Sequence, residues 1–107
     1  MKDFKDKVMV ITGAAHGFGQ VIAEGAADRG MKLTIVDIDE PALKKTYQHI
    51  LDKGAEVLMV TADVTKEASV DDAVEQAIEK FGRIDLLINN AGIALPGRIW
   101  ELPTRDW

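Results

Sequence analysis

The sequence predicts an α/β fold, a doubly wound parallel sheet of about four strands in the order 3-2-1-4 with flanking helices. Short β-branched runs alternate with longer stretches of helical period, the pattern of βαβ units. The strand runs are apolar almost without interruption, as strands covered on both faces are. With 107 residues, 47% hydrophobic and 29% charged, the chain has the balance of one soluble globular domain, yet it is short for a whole α/β enzyme. We read it as a single, incomplete domain over residues 1–107.

The first strand runs from Lys7 to Thr12, carried by Val8, Met9, Val10 and Ile11. A first helix over 17–29 is rich in Ala, with Gly25 inside it for close packing on the sheet and Gly30 as a stop. The second strand covers Lys32 to Asp37. A second helix opens at Asp39, an effective cap, with Pro41 in its first turn, and puts Leu43, Tyr47, Ile50 and Leu51 on one face before Gly54. The third strand covers Glu56 to Thr61. The third helix is the most periodic segment, with Val70, Ala73, Val74, Ala77, Ile78 and Phe81 in one stripe; Ser69 and Asp72 have capping-box spacing, and Gly82 closes it. The fourth strand covers Ile84 to Asn89. Asn90 to Pro103, broken by Gly92, Pro96, Gly97 and Pro103, reads as a loop, and Thr104 to Trp107 reads as the start of another helix.

Thirteen Lys and Arg against eighteen Asp and Glu give a net charge of −5, with no basic stretch able to neutralise a phosphate backbone, so nucleic acid is excluded as a partner. There is no cysteine, hence no disulfide or thiolate metal site, and His16 and His49 are too isolated for a metal centre. The charged N-terminus is no secretory signal, and no apolar run reaches membrane-spanning length. The expectation is a cytoplasmic protein.

The specific chemistry begins at Thr12-Gly13-Ala14-Ala15-His16-Gly17-Phe18-Gly19, a glycine-rich turn between a buried strand and a helix start. A pyrophosphate needs bare backbone N–H groups and room to approach them; a helix N-terminus supplies donors and the positive end of the macrodipole. Side chains at Gly13, Gly17 or Gly19 would obstruct such an approach. Asp37 ends the second strand 18 positions after Gly19, near the spacing of an acid that accepts hydrogen bonds from a ribose diol. Its carboxylate would repel a 2′-phosphate, and Ile38 and Asp39 add no compensating charge, so NAD(H) is expected rather than NADP(H). His16, protonated, could approach a phosphate, although a solvent-facing loop histidine is the simpler reading. A methyl-donor site shares these features. Asp63-Val64 after the third strand and Asn89-Asn90-Ala91-Gly92 after the fourth favour a dinucleotide, because three strands then end in groups able to touch one nucleotide.

With its Thr-Gly-x-x-x-Gly-x-Gly turn and its Asn-Asn-Ala-Gly strand end intact and in order, the chain resembles the short-chain dehydrogenase/reductase family, from the first strand to Trp107. The resemblance implies a Rossmann-like domain in which Gly13, Ala15, His16, Gly17, Phe18 and Gly19 wrap the pyrophosphate and Asp37 takes the adenosine ribose. It implies that Asp63 and Val64 border the adenine and that Asn90, Ala91 and Gly92 line the adenosine side. Asn89 would tie neighbouring strands, and Thr12 would hydrogen-bond toward the Asn-Asn-Ala-Gly segment.

One departure matters. The family's catalytic serine and its Tyr-x-x-x-Lys pair have no counterpart here: Tyr47, the only tyrosine, is followed four positions on by Leu51, and Ser69, the only serine, reads as a helix cap. No catalytic residue is therefore assigned. The expectation is the nucleotide-binding part of an NAD-dependent oxidoreductase acting on an alcohol or carbonyl in a longer parent chain, inactive by itself; the alternative is a short non-catalytic NAD(H)-binding or interaction module. With no fifth strand beside it, the run Ile84, Leu86, Leu87 and Ile88 would form an exposed apolar sheet edge, predicting a homo-oligomer or poor solubility.

Overall fold

The computed structural model describes residues 4–90 and, for the backbone alone, 98–101. Its elements run β1 (Val8–Thr12), α1 (Gly17–Asp28), β2 (Lys32–Asp37), α2 (Glu40–Asp52), β3 (Val57–Thr61), α3 (Glu67–Phe81), β4 (Leu86–Asn89) and β5 (Arg98–Glu101). The sheet order is β3-β2-β1-β4-β5. The first four strands pair in parallel, giving the expected 3-2-1-4 arrangement, while β5 joins β4 antiparallel with Leu87 opposite Trp100.

The continuous apolar strands follow from burial on both faces. Along β1, Met9 and Ile11 face a core shared with Leu33 and Ile35 of β2, Ala23, Ala26 and Ala27 of α1, and Leu43 and Ile50 of α2. Val8 and Val10 face the opposite core with Val36, Val60, Ile84 and the small Ala73 and Ala77 of α3. Alanines at the contacts let α1 and α3 lie close to the sheet. Asp39 caps α2 by accepting from the Ala42 N–H, with Pro41 in the first turn, and Gly82 ends α3 in the left-handed conformation that a side chain would disfavour. Among the described residues no helix is long and apolar enough to cross a membrane.

Four expectations are corrected. The stretch after Asn90 is not loop throughout, because Arg98–Glu101 is a strand. That strand occupies the edge of β4, and Ile84 and Ile88 are buried, so the bare apolar edge does not exist. Ser69 does not cap α3: the helix begins two residues before it, with Lys66 at the cap position and no side-chain cap, because backbone bonds from Ser69 and Val70 to the Lys66 carbonyl extend the turn upstream. Leu51 is exposed rather than part of the apolar face of α2, whose buried positions are Leu43, Thr46 and Ile50. Thr46 takes the interior place because its hydroxyl donates to the Ala14 carbonyl at 3.1 Å. The expected helix start at Thr104 lies outside the described residues.

Candidate nucleotide cleft

β1 delivers the chain at Thr12 into the glycine-rich turn, which is tied to β2 by one backbone bond and one bond to a side chain. The Ala14 N–H reaches the Val36 carbonyl at 3.3 Å, and the Ala15 N–H reaches Asp37 Oδ2 at 3.1 Å. The turn then opens α1 at Gly17, after His16 in an extended conformation. No side chain caps this start, and no acidic residue lies in its first turn. Orphan N–H groups and the positive end of the helix dipole are therefore not neutralised by a protein side chain among the described residues. Gly17 has φ +51°, with nothing within 4 Å of the position a Cβ would take. Gly19 is the opposite case: a Cβ there would lie 2.8 Å from the Gly13 carbonyl carbon, closer still to its oxygen, and 3.0 Å from Asn90 Nδ2. Gly17 is thus needed for backbone conformation beside open space, and Gly19 for close packing of the two turns.

The carboxyl ends of the strands converge on that turn. The Thr12 hydroxyl donates to Asn89 Oδ1 at 2.9 Å and accepts the Asn90 N–H at 2.9 Å, tying the end of β1 to the end of β4. Asp37 accepts the Ala15 N–H through one oxygen and the Asp39 N–H, at 3.0 Å, through the other, so its carboxylate is fixed by backbone on both sides. Each of those oxygens keeps acceptor capacity. After β3, the Thr65 hydroxyl and N–H both donate to Asp63 Oδ1, at 2.6 and 3.1 Å, and these bonds hold the Asp63 carboxyl below its ordinary range.

These strand ends enclose a cleft of about 300 Å³, lined by Gly13 and His16 from the first turn, Asp37 and Ile38 after β2, Asp63, Val64 and Thr65 after β3, and Asn90 after β4. Of the residues singled out from sequence, Gly13, His16, Asp37, Asp63, Val64 and Asn90 meet here. Gly17, Phe18 and Gly19 form the adjoining first turn of α1, with Phe18 exposed; the Ala15 side chain is buried in the core and only its N–H turns toward Asp37. Ala91 and Gly92 lie outside the described residues. Tyr47 packs against the core, as its place in the apolar stripe indicates.

Three features escape a reading by motif. Ile38 and Thr65 line the cleft; the Asp-x-Thr spacing, typical of a tight turn, is the one signal that points to Thr65. His16 Nε2 lies 2.7 Å from Asp39 Oδ2, a pair between residues 23 apart in sequence that no periodicity reveals. That bond, with the cap bond from Ala42, lowers the Asp39 carboxyl from its ordinary value. At the opposite end of the sheet from the cleft, the buried Asp85 accepts the Val8 N–H at 2.9 Å and pairs with Arg83 at 2.6 Å, anchoring the start of β1.

Residues 7–107 match the family model of the short chain dehydrogenases. Over all 107 residues the chain is 98% identical to the "CLA biosynthesis dehydrogenase/reductase" of Lactiplantibacillus plantarum, and it spans 37% of that protein's length. Among solved structures it is 46% identical to a short chain dehydrogenase/reductase from Burkholderia phymatum in complex with NAD, with a TM-score of 0.78 over 81% of this chain and 31% of that one. It is 47% identical to a 3-ketoacyl-(acyl-carrier-protein) reductase from Brucella melitensis complexed with NADH, with a TM-score of 0.75 over 84% of this chain and 36% of that one.

Proposed function

Since this chain belongs to the short-chain dehydrogenase/reductase family of oxidoreductases, we propose that it is the NAD(H)-binding portion of an enzyme that transfers hydride between a nicotinamide and an alcohol or carbonyl substrate. The observation that carries the reading is the convergence of the ends of β1, β2, β3 and β4 on one cleft beside an uncapped helix start. The residues present fit a dinucleotide. Space stands open in front of Gly17, where the N–H groups of the first turn of α1, from Gly17 through Phe18 to Gly19, would hold the pyrophosphate with Gly13, Ala15 and His16 around it. Asp37, already fixed by two backbone N–H groups, would accept from the adenosine ribose diol. Asp63 and Val64 would flank the adenine, with Asn90, Ala91 and Gly92 on the adenosine side. The bound cofactor would supply or accept the hydride; the part of this chain is to bind and orient it.

NAD(H) over NADP(H) follows from the Asp37 carboxylate, which would face a 2′-phosphate with like charge. Because Tyr47 packs against the core and Ser69 sits in the first turn of α3, neither is a catalytic candidate, and no catalytic residue is assigned to this chain. A non-catalytic NAD(H)-binding module is favoured by the same two placements. Cytoplasmic residence and homo-oligomerisation complete the proposal, and a stable monomer in sedimentation at ordinary concentrations would count against the latter.

Calorimetric titration of the folded chain with NADH and NADPH tests the core of the reading. Saturable NADH binding, tighter than NADPH, is the expected result; a well-folded chain with no affinity for either nucleotide removes the proposal.

A further inference from the structure

Two carboxylates, not one, bear on the ribose end of the cleft, and they are linked. The Asp39 N–H donates to Asp37 Oδ1 at 3.0 Å; the Asp39 side chain accepts the Ala42 N–H through Oδ1 at 3.2 Å and holds His16 Nε2 through Oδ2 at 2.7 Å. His16 lines the cleft together with Asp37, whereas Asp39 lies behind it, outside the lining residues. His16 is therefore tethered, between the openings of α1 and α2, to a carboxylate that is itself fixed by a helix cap.

We propose that Asp39 is a positioning residue for cofactor selectivity: by holding and neutralising His16, it denies a 2′-phosphorylated adenosine the cationic side chain that, among the described residues lining the cleft, could offset Asp37. The inference rests on the NAD(H)-binding reading above. Its logic is a charge count at the site. Even when the imidazole is protonated, Asp37 and Asp39 leave the three side chains at net −1; when it is neutral they stand at −2. Removing the Asp39 charge brings a protonated His16 and Asp37 to zero and releases the ring toward the cleft. A 2′-phosphate carries about −1.5 to −2 charges near neutral pH, so it senses that change more strongly than a ribose hydroxyl does.

The groups around the imidazole leave this balance in place. Asp37 and Asp63 share the cleft with it from the ends of β2 and β3. Asp39 faces it at the start of α2, and from the same helix Lys45 exerts its field on Asp39. On α1 the neighbour one turn on is the neutral Gln20, whose amide is turned to Glu24 at 2.9 Å.

The test is Asp39→Asn, which keeps a side-chain oxygen for the helix cap and removes the charge. NADH and NADPH affinities are measured by calorimetry at pH 6 and pH 8 for the parent chain, Asp39→Asn, His16→Gln and the double variant, with thermal melts to show that each is folded. The expected result is a rise of about tenfold in relative NADPH affinity for Asp39→Asn at pH 6, shrinking to about twofold at pH 8. The double variant should lose the pH dependence of that gain. Titration of the 2′-phosphate itself is common to all four proteins and cancels in the comparison. If the parent binds NADH but Asp39→Asn leaves the ratio unchanged, or raises it equally at both pH values and in the double variant, the role of Asp39 is overturned while the cofactor reading stands. Should Asp39→Asn not fold, His16→Gln decides alone: because Asp39 withholds His16 in the parent chain, an unchanged relative NADPH affinity at pH 6 supports the proposal, and a loss there, which would mean that His16 already serves the 2′-phosphate, overturns it. A parent chain that binds neither nucleotide overturns both readings.

Discussion

Alanine at two glycines of the same helix should act with opposite sign. At Gly19 an added Cβ would stand 2.8 Å from the Gly13 carbonyl carbon and 3.0 Å from Asn90 Nδ2, whereas carbon contacts settle at about 3.5–4.0 Å. Relief requires the Gly13 backbone to retreat by about 0.7 Å or more, and the atoms in the way are main chain, not the flexible tip of a side chain. Overpacking of that kind costs about 1–3 kcal/mol. The gain of Ala over Gly in a helix, about 0.8–1 kcal/mol, offsets part of it. The net for Gly19→Ala is a loss of up to about 2 kcal/mol, with Tm falling by roughly 4–8 °C per kcal/mol at this chain length. At Gly25, expected from the sequence to serve close packing on the sheet, the same methyl meets only Arg29 Nη1 at 3.7 Å, an ordinary contact that overturns that expectation, so the helix preference acts alone and Gly25→Ala should stabilise by up to about 1 kcal/mol. Urea denaturation of both variants, with slopes compared to exclude a change in compactness, reads the stability. NADH titration reads the site, because Gly13 and Asn90 both line the cleft, and only Gly19→Ala should weaken binding. If Gly19→Ala is as stable as the parent and binds NADH equally well, the close approach of the two turns is not what that glycine serves.

Thr12→Val removes the hydroxyl that bridges Asn89 and Asn90; it should cost about 1–3 kcal/mol and weaken NADH binding, with Thr12→Ser restoring both in urea melts and titrations. Asp85→Asn leaves an oxygen for the Val8 N–H but discharges the pair with Arg83. Because that guanidinium is partly solvated, the loss in urea denaturation should be about 1–2 kcal/mol, and Asp85→Ala, which orphans the Val8 N–H as well, should lose more; equal losses would deny the backbone bond its part. The Asp63 carboxyl is lowered from its ordinary value of 3.8 by Thr65. Its contribution is therefore present above the unfolded value and is lost as pH falls through the lower folded one, so Asp63→Asn should flatten the acid limb of a stability–pH curve below about pH 4 and leave its slope at pH 7 unchanged.

The sequence by itself determined the alternation of strands and helices and the glycine-rich turn at the head of α1, because these are local; the parallel 3-2-1-4 order, a pairing of distant segments, was legible only through the general rules of doubly wound sheets. Continuous apolar runs mark strands covered on both faces, and a glycine cluster between strand and helix marks a backbone that something must approach. The Thr12 link to the Asn89-Asn90 corner was legible too, but through family resemblance, since no spacing rule joins residues 77 apart. Tertiary structure alone decided the rest. Arg98–Glu101 is a strand despite the breakers around it because β4 offers an unpaired edge, and edge pairing outweighs weak local preference. Whether Ser69 caps α3 depended on where the backbone bonds of the first turn closed, which composition does not settle. The pairing of His16 with Asp39, and the anchoring of β1 by Asp85, exist because the sheet order brings distant segments side by side: hydrogen bonds of that kind obey distance in space, and only the fold converts sequence separation into distance.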